Sequence, residues 1–110
     1  MKNKKNAIAE GDQSSGVEGY VYDGADGSQI IHWTCKEGGL SHEHLHDYEE
    51  YMLVVSGRYD MVIKGKKTPL SAGMEYRIPK GVPHAGEYIK GTRTIHWFGG
   101  KRADRRKEKG

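Results

Sequence analysis

Apolar and polar residues alternate in short runs along the chain, and each run is closed by Gly, Pro or an Asp-Gly pair. This pattern predicts strands joined by tight turns. V-E-G-Y-V-Y, from Val17, reads as a first strand ended by the turn chemistry of D-G-A-D-G-S. In S-Q-I-I-H-W-T-C-K, Ile30, His32 and Thr34 share one face and Ile31, Trp33 and Cys35 the other, so both faces are expected to be covered. Next comes H-E-H-L-H, where alternation puts His42, His44 and His46 on one face. After a D-Y-E turn, E-Y-M-L-V-V-S carries Glu50, Met52 and Val54 on one side and Tyr51, Leu53 and Val55 on the other. R-Y-D-M-V-I-K, M-E-Y-R-I-P, H-A-G-E-Y-I and T-R-T-I-H-W-F complete the series, with G-K-K a turn and T-P-L-S-A-G a lead-in. No segment has the length and period of a long helix. The prediction is an all-β sandwich or closed barrel.

Length and composition agree. A chain of 110 residues makes one domain with a single modest core. Sixteen glycines and ten aromatics suit many short strands, and 30% charged residues suit a soluble globular protein. Residues 1–16 are polar and without period, and read as a flexible arm; residues 17–100 form the barrel; residues 101–110 read as a basic disordered tail. The net charge of +3 sits at the ends, with +4 in the last ten residues and +1 in the first sixteen, leaving the body at −2. No aromatic or Arg-rich face accompanies the tail, so nucleic-acid binding is not expected. Cys35 is the one cysteine and cannot form an internal disulfide, which makes a cytoplasmic protein the simpler expectation. No signal peptide or membrane-spanning segment is expected.

The chemistry concentrates in one stretch. His42, His44, His46 and Glu50 lie within nine residues and run directly into Y-M-L-V-V. Imidazole and carboxylate suit divalent Zn, Fe, Mn, Ni or Co, and the lack of thiolates argues against a structural zinc cluster or an iron–sulfur centre. Two His at i and i+2 on a strand point to the same side and can chelate one ion. An exposed polar strand is the plainer alternative, but the adjoining buried run leaves little room for unpaired polar groups. A further His must come from elsewhere, and His84, in P-K-G-V-P-H, is the candidate.

These spacings resemble the cupin family. Gly38, five residues, His44, one, His46, three, Glu50, six, Gly57 reproduces its first motif; Gly73, five, Pro79, one, Gly81, two, His84 reproduces its second. The alternative register, His42 and His44 with Glu49, would put Ser56 where the motif has glycine. The likeness covers about residues 28–98 and implies a small single-domain cupin, a β-sandwich or jelly-roll barrel, with one divalent metal ion (Fe, Mn, Ni, Zn or Co) on His44, His46, Glu50 and His84. Four protein ligands on a six-coordinate ion leave two positions open, which favours Fe, Mn or Ni over tetrahedral Zn. The second motif usually ends in Asn, and Tyr88 stands there instead. His42, Tyr88, His32, His96, Met52 and Tyr76 are the candidate pocket residues, with His42 most simply a residue of the rim, and no catalytic residue is assigned. In such a fold, I-I-H-W-T-C and T-I-H-W-F-G are expected to be neighbouring strands whose His-Trp pairs pack together. The implied function is dioxygenase- or isomerase-like chemistry on a chelating small molecule such as a keto acid, diketone or sugar. The alternative is a non-catalytic barrel that binds or senses a sugar or effector. A homodimer is expected to cover Tyr51, Leu53 and Val55, with the N-terminal arm folding back as the alternative.

Overall fold

The computed structural model describes residues 4–9 and 16–104. Among them the strands are β1 (Val17–Asp23), β2 (Gln29–Cys35), β3 (Gly39–Leu40), β4 (Glu50–Ser56), β5 (Arg58–Ile63), β6 (Lys66–Ser71), β7 (Glu75–Ile78), β8 (Ala85–Tyr88) and β9 (Arg93–Phe98). They form two antiparallel sheets, one ordered β1-β2-β9-β4-β7 and the other β3-β8-β5-β6. The only helical turn among the described residues is a short 3-10 segment, Lys4–Asn6. No described helix is long and apolar enough to cross a membrane. The fold is an all-β sandwich of the jelly-roll type, as the alternating runs require.

Alternation decides what each strand buries. On β4 Glu50, Met52 and Val54 are buried, while Tyr51 and Val55 on the opposite face remain 45% and 43% exposed. On β9 Thr94, His96 and Phe98 face inward. Inward residues build two apolar clusters. Ile8, Val21, Ile31, Phe98 and Ala103 form one, and Met52, Val54, Met61, Leu70 and Ile78 form the other. β6 extends through the stretch read as turn and lead-in, and its Pro69 is accommodated because β6 is a sheet edge, where a missing N–H breaks no second ladder.

Three expectations need correction. H-E-H-L-H is not a strand: its one ladder contact is the isolated bridge His44↔His84. Between that bridge and the pair Leu40↔Glu87, Ser41, His42 and Glu43 stand on one side against Ala85 and Gly86 on the other. The additional residue breaks the alternation, and His42 is left exposed. Secondly, β2 and β9 are neighbours, but their register pairs Ile31 with His96 and His32 with Ile95. The two His-Trp pairs are thus out of phase. His96 shares the inward face with Trp33, and His32 the outward face with Trp97, so the expected single cluster is divided between the two faces of the sheet. Finally, two stretches expected to lie off the barrel pack onto it: Ile8 is 1% exposed within the first cluster, and Ala103 is buried beside it. The remainder of the expected arm and tail, residues 1–3, 10–15 and 105–110, falls outside the described residues.

Candidate metal centre

Backbone pairing assembles the site. The His44 N–H donates to the His84 carbonyl and the His84 N–H to the His44 carbonyl, each at 2.9 Å, while the Gly81 N–H donates to the His46 carbonyl at 2.8 Å. These bonds clamp the loop between β3 and β4 against the loop that leads into β8. Glu50 enters from the other sheet, as the first residue of β4. One nitrogen each of His44, His46 and His84 lies within 4.8 Å of the others.

Hydrogen bonds on the outer ring nitrogens aim the inner ones. His44 Nδ1–H donates to the His42 carbonyl at 2.7 Å, and His84 Nδ1–H to the Val82 carbonyl at 2.9 Å. Each ring therefore keeps its Nε2 lone pair for the centre. Glu50 is fixed in the same manner: His96 Nδ1–H donates to Oε2 at 2.6 Å, and the Thr94 hydroxyl donates to His96 Nε2 at 3.0 Å. Oε1 is thereby turned toward His84 Nε2 at 3.3 Å and His46 Nε2 at 3.4 Å.

Those three converging atoms, His46 Nε2, Glu50 Oε1 and His84 Nε2, are buried and have no hydrogen-bond partner among the described residues. An unpaired buried polar atom costs about 1–3 kcal/mol. Three of them facing one point, all lone-pair donors, is the arrangement that a bound cation satisfies. The residues fit a divalent metal. Protonation agrees at Glu50 and His44 and runs the other way at His84, where a cation must displace a proton. Burial alone would raise Glu50, but the three imidazoles around it outweigh that and hold the carboxyl ionised far below its usual range. Burial lowers His44, against the pull of the His42 carbonyl and with help from the charge of its neighbours, which favours the neutral ring a metal needs. Burial also pulls on His84, yet Glu50 and the Val82 carbonyl more than offset it and keep this ring above the ordinary histidine value.

A cavity of about 70 Å³ opens over the site, lined among others by Trp33, Tyr59, Tyr88 and Arg102. One water needs about 10–15 Å³ on this measure, so a few waters or one small ligand can enter. Tyr59 and Tyr88 stack at 6.1 Å to form one wall, and burial pushes the Tyr59 phenol well up, so it stays protonated. Cys35 also lines the cavity, and burial lifts its thiol to about 11, which keeps it an inert wall residue. Of the residues expected in the pocket, Tyr88 and His96 line it. The others lie elsewhere. His42 is exposed outside it, and His32 lies on the outer sheet face with Val55 and Ile95. Met52 belongs to the second apolar cluster, with Tyr76 packed against it. Sequence reasoning missed Arg102, because a lysine- and arginine-rich end carries no period that would distinguish one docked side chain. Tyr59 and Thr94 were legible only as strand residues.

The cupin domain model matches residues 31–101, which takes in both histidine loops and Glu50. The chain belongs to the cupin family. Solved structures agree on the fold of this cupin. KdgF from Halomonas sp. superposes with a TM-score of 0.76 at 16% identity, covering 93% of this chain and 92% of that one. An RmlC-like cupin from Shewanella frigidimarina gives 0.76 at 19% identity over 93% and 90% of the two chains. Salicylate 1,2-dioxygenase from Pseudoaminobacter salicylatoxidans, solved with gentisate, gives 0.71 at 15% identity, with 77% of this cupin matching 25% of that chain. Identities this low speak for the fold alone. Curated proteins yield no sequence match.

Proposed function

We propose that this cupin is a divalent-metal-dependent enzyme acting on a small chelating substrate by dioxygenase- or isomerase-like chemistry. The observation that carries this reading is the convergence of His46 Nε2, Glu50 Oε1 and His84 Nε2, buried and unpartnered among the described residues, beside a cavity that Glu50 and His84 line. His44, His46, Glu50 and His84 hold the ion, which when bound supplies a Lewis acid that polarises a substrate oxygen. The chain's own residues do the rest. His96 and Thr94 keep Glu50 in its ligating orientation, which preserves the negative charge at the site. Phe98 and the stacked Tyr59 and Tyr88 exclude bulk water from one side.

To test this, the chain is loaded with Fe(II) without oxygen, mixed with keto acids, diketones and uronates, and then exposed to oxygen. Turnover of at least one class is the expected result. Saturable binding without product points instead to a sensing or carrier barrel, and neither binding nor turnover sinks both readings.

The same cupin is proposed to work as a homodimer. Ile30, Tyr51 and Val55 stay exposed on the outer face of the five-stranded sheet, beside Ile95 and Trp97, and a second copy of the chain would cover them. Light scattering with size exclusion is expected to return twice the chain mass, and Tyr51→Lys with Val55→Lys to return a monomer. A monomeric wild type removes the dimer without touching the metal site.

A further inference from the structure

The segment after β9 returns to the metal pocket and delivers a guanidinium there. Arg102 lines the same cavity as His44, Glu50 and His84, although nothing in the two motifs calls for a cation. Its position is built, beginning with Gln29, itself 3% exposed. Gln29 Oε1 accepts from the backbone N–H of Arg102 at 2.6 Å and of Ala103 at 3.1 Å, while its amide N–H groups donate to the Ala103 carbonyl at 3.0 Å and to Asp23 Oδ1 at 2.9 Å. One residue on, the Ala9 N–H donates to the Asp104 carbonyl at 2.8 Å. A buried amide at the head of β2 and the Ile8 segment thus secure the backbone on both sides of Ala103. The side chain is oriented too, because the guanidinium lies over the face of Trp33, 5.9 Å from the ring centroid.

We propose that Arg102 is a substrate-binding residue that pairs with a carboxylate carried by the substrate in addition to its chelating oxygens, and that Gln29 is the residue that positions it. This rests on the reading that the pocket chelates its ligand through a metal. The lining favours it: Arg102 brings a guanidinium to the same pocket as the residues that would hold a divalent ion, and both attract an anionic chelator. The guanidinium fork matches a carboxylate in two hydrogen bonds, and Trp33 presets its plane, which reduces the ordering cost on binding. Substrates that chelate but lack the second anionic group lose this contact.

The test compares two ligands with the same diketone chelating unit, 4,6-dioxoheptanoate, whose carboxylate lies two methylenes from that unit, and 2,4-pentanedione, titrated calorimetrically into the full chain loaded with Ni(II). Metal content and melting temperature are measured alongside. Wild type is expected to bind the carboxylate at least about tenfold more tightly, with the margin shrinking as salt rises. Arg102→Gln is expected to bring the two affinities together by weakening only the carboxylate, with metal content unchanged. Arg102→Lys keeps the charge without the fork and is expected to fall between. Gln29→Ala is expected to behave like Arg102→Gln while binding the diketone normally. Wild type that takes up no metal defeats the metal reading itself. Metal-loaded wild type without the preference, or Arg102→Gln that retains it, overturns the role of Arg102.

Discussion

His84→Ala is expected to purify with less than about a tenth of the metal carried by wild type, which itself should hold about one divalent ion per chain. The affinity loss should be at least about a hundredfold, since even the partners behind a metal ligand are worth about 10–100-fold. The reason is positional. Glu50 Oε1 sits 3.3 Å from His84 Nε2 and 3.4 Å from His46 Nε2, and removing one of these nitrogens leaves a buried carboxylate with half of its inner surroundings. Folding should survive, because the two 2.9 Å bonds that join residues 44 and 84 are backbone to backbone and do not need the imidazole. Far-ultraviolet circular dichroism of the variant should therefore match wild type while elemental analysis does not. His42→Ala supplies the contrast. Its side chain is exposed and only its carbonyl serves the site, by accepting from His44 Nδ1, so the variant should keep its full metal content. Wild type that stays metal-free in the presence of excess ion, or His84→Ala that retains it, would end the metal assignment.

The contrast between these two histidines also marks what the sequence could convey. Strand alternation was legible wherever a strand has a continuous partner: Glu50, Met52 and Val54 are inward on β4, as their spacing requires. The two motifs were legible as a likeness to the cupins, and that likeness named His44, His46, Glu50 and His84 together although they come from three separate segments. Period failed at H-E-H-L-H, where regular alternation met an unequal partner loop and His42 was turned out. It failed again for the His-Trp pairs, because cross-strand register depends on turn lengths that no single strand contains. Met52 and Tyr76 point inward as read, but inward in this sandwich leads to two apolar clusters as well as to a pocket. Arg102 was out of reach for another reason. Its placement depends on Gln29, more than seventy residues away in sequence, and on hydrogen bonds to the backbone, which leave no trace in side-chain pattern.

Gly57→Ala is expected to destabilise the protein by about 3 kcal/mol while leaving metal stoichiometry intact in the folded fraction. Gly57 closes the first motif, yet it lies at the far end of β4 from Glu50, so its requirement must come from the backbone. Its φ is +83°, and a Cβ there would lie 2.7 Å from Thr92 Cα and 2.5 Å from Thr92 Oγ1. Thr92 cannot withdraw: it is fully buried, and its hydroxyl both accepts from the Arg58 N–H at 3.2 Å and donates to the Arg58 carbonyl at 3.0 Å. The left-handed backbone costs an L-residue about 1–2 kcal/mol, and crowding a closed packing site adds about 1–3 kcal/mol. That sum is a large part of the roughly 5–15 kcal/mol that holds an ordinary domain together, and should lower the melting temperature by more than about 10 °C. Gly73 and Gly81, the glycines of the second motif, separate the two costs. Their φ values are +88° and +77°, but no atom lies within 4 Å of where an added Cβ would sit. Gly73→Ala and Gly81→Ala should therefore lose only the backbone contribution of about 1–2 kcal/mol. Thermal melts of the three variants decide the matter: equal losses would mean that Thr92 yields and the closeness at Gly57 has no energetic weight, whereas a larger loss at Gly57 assigns that motif position to packing beneath the β4–β5 turn and leaves the chemistry to the histidines and Glu50.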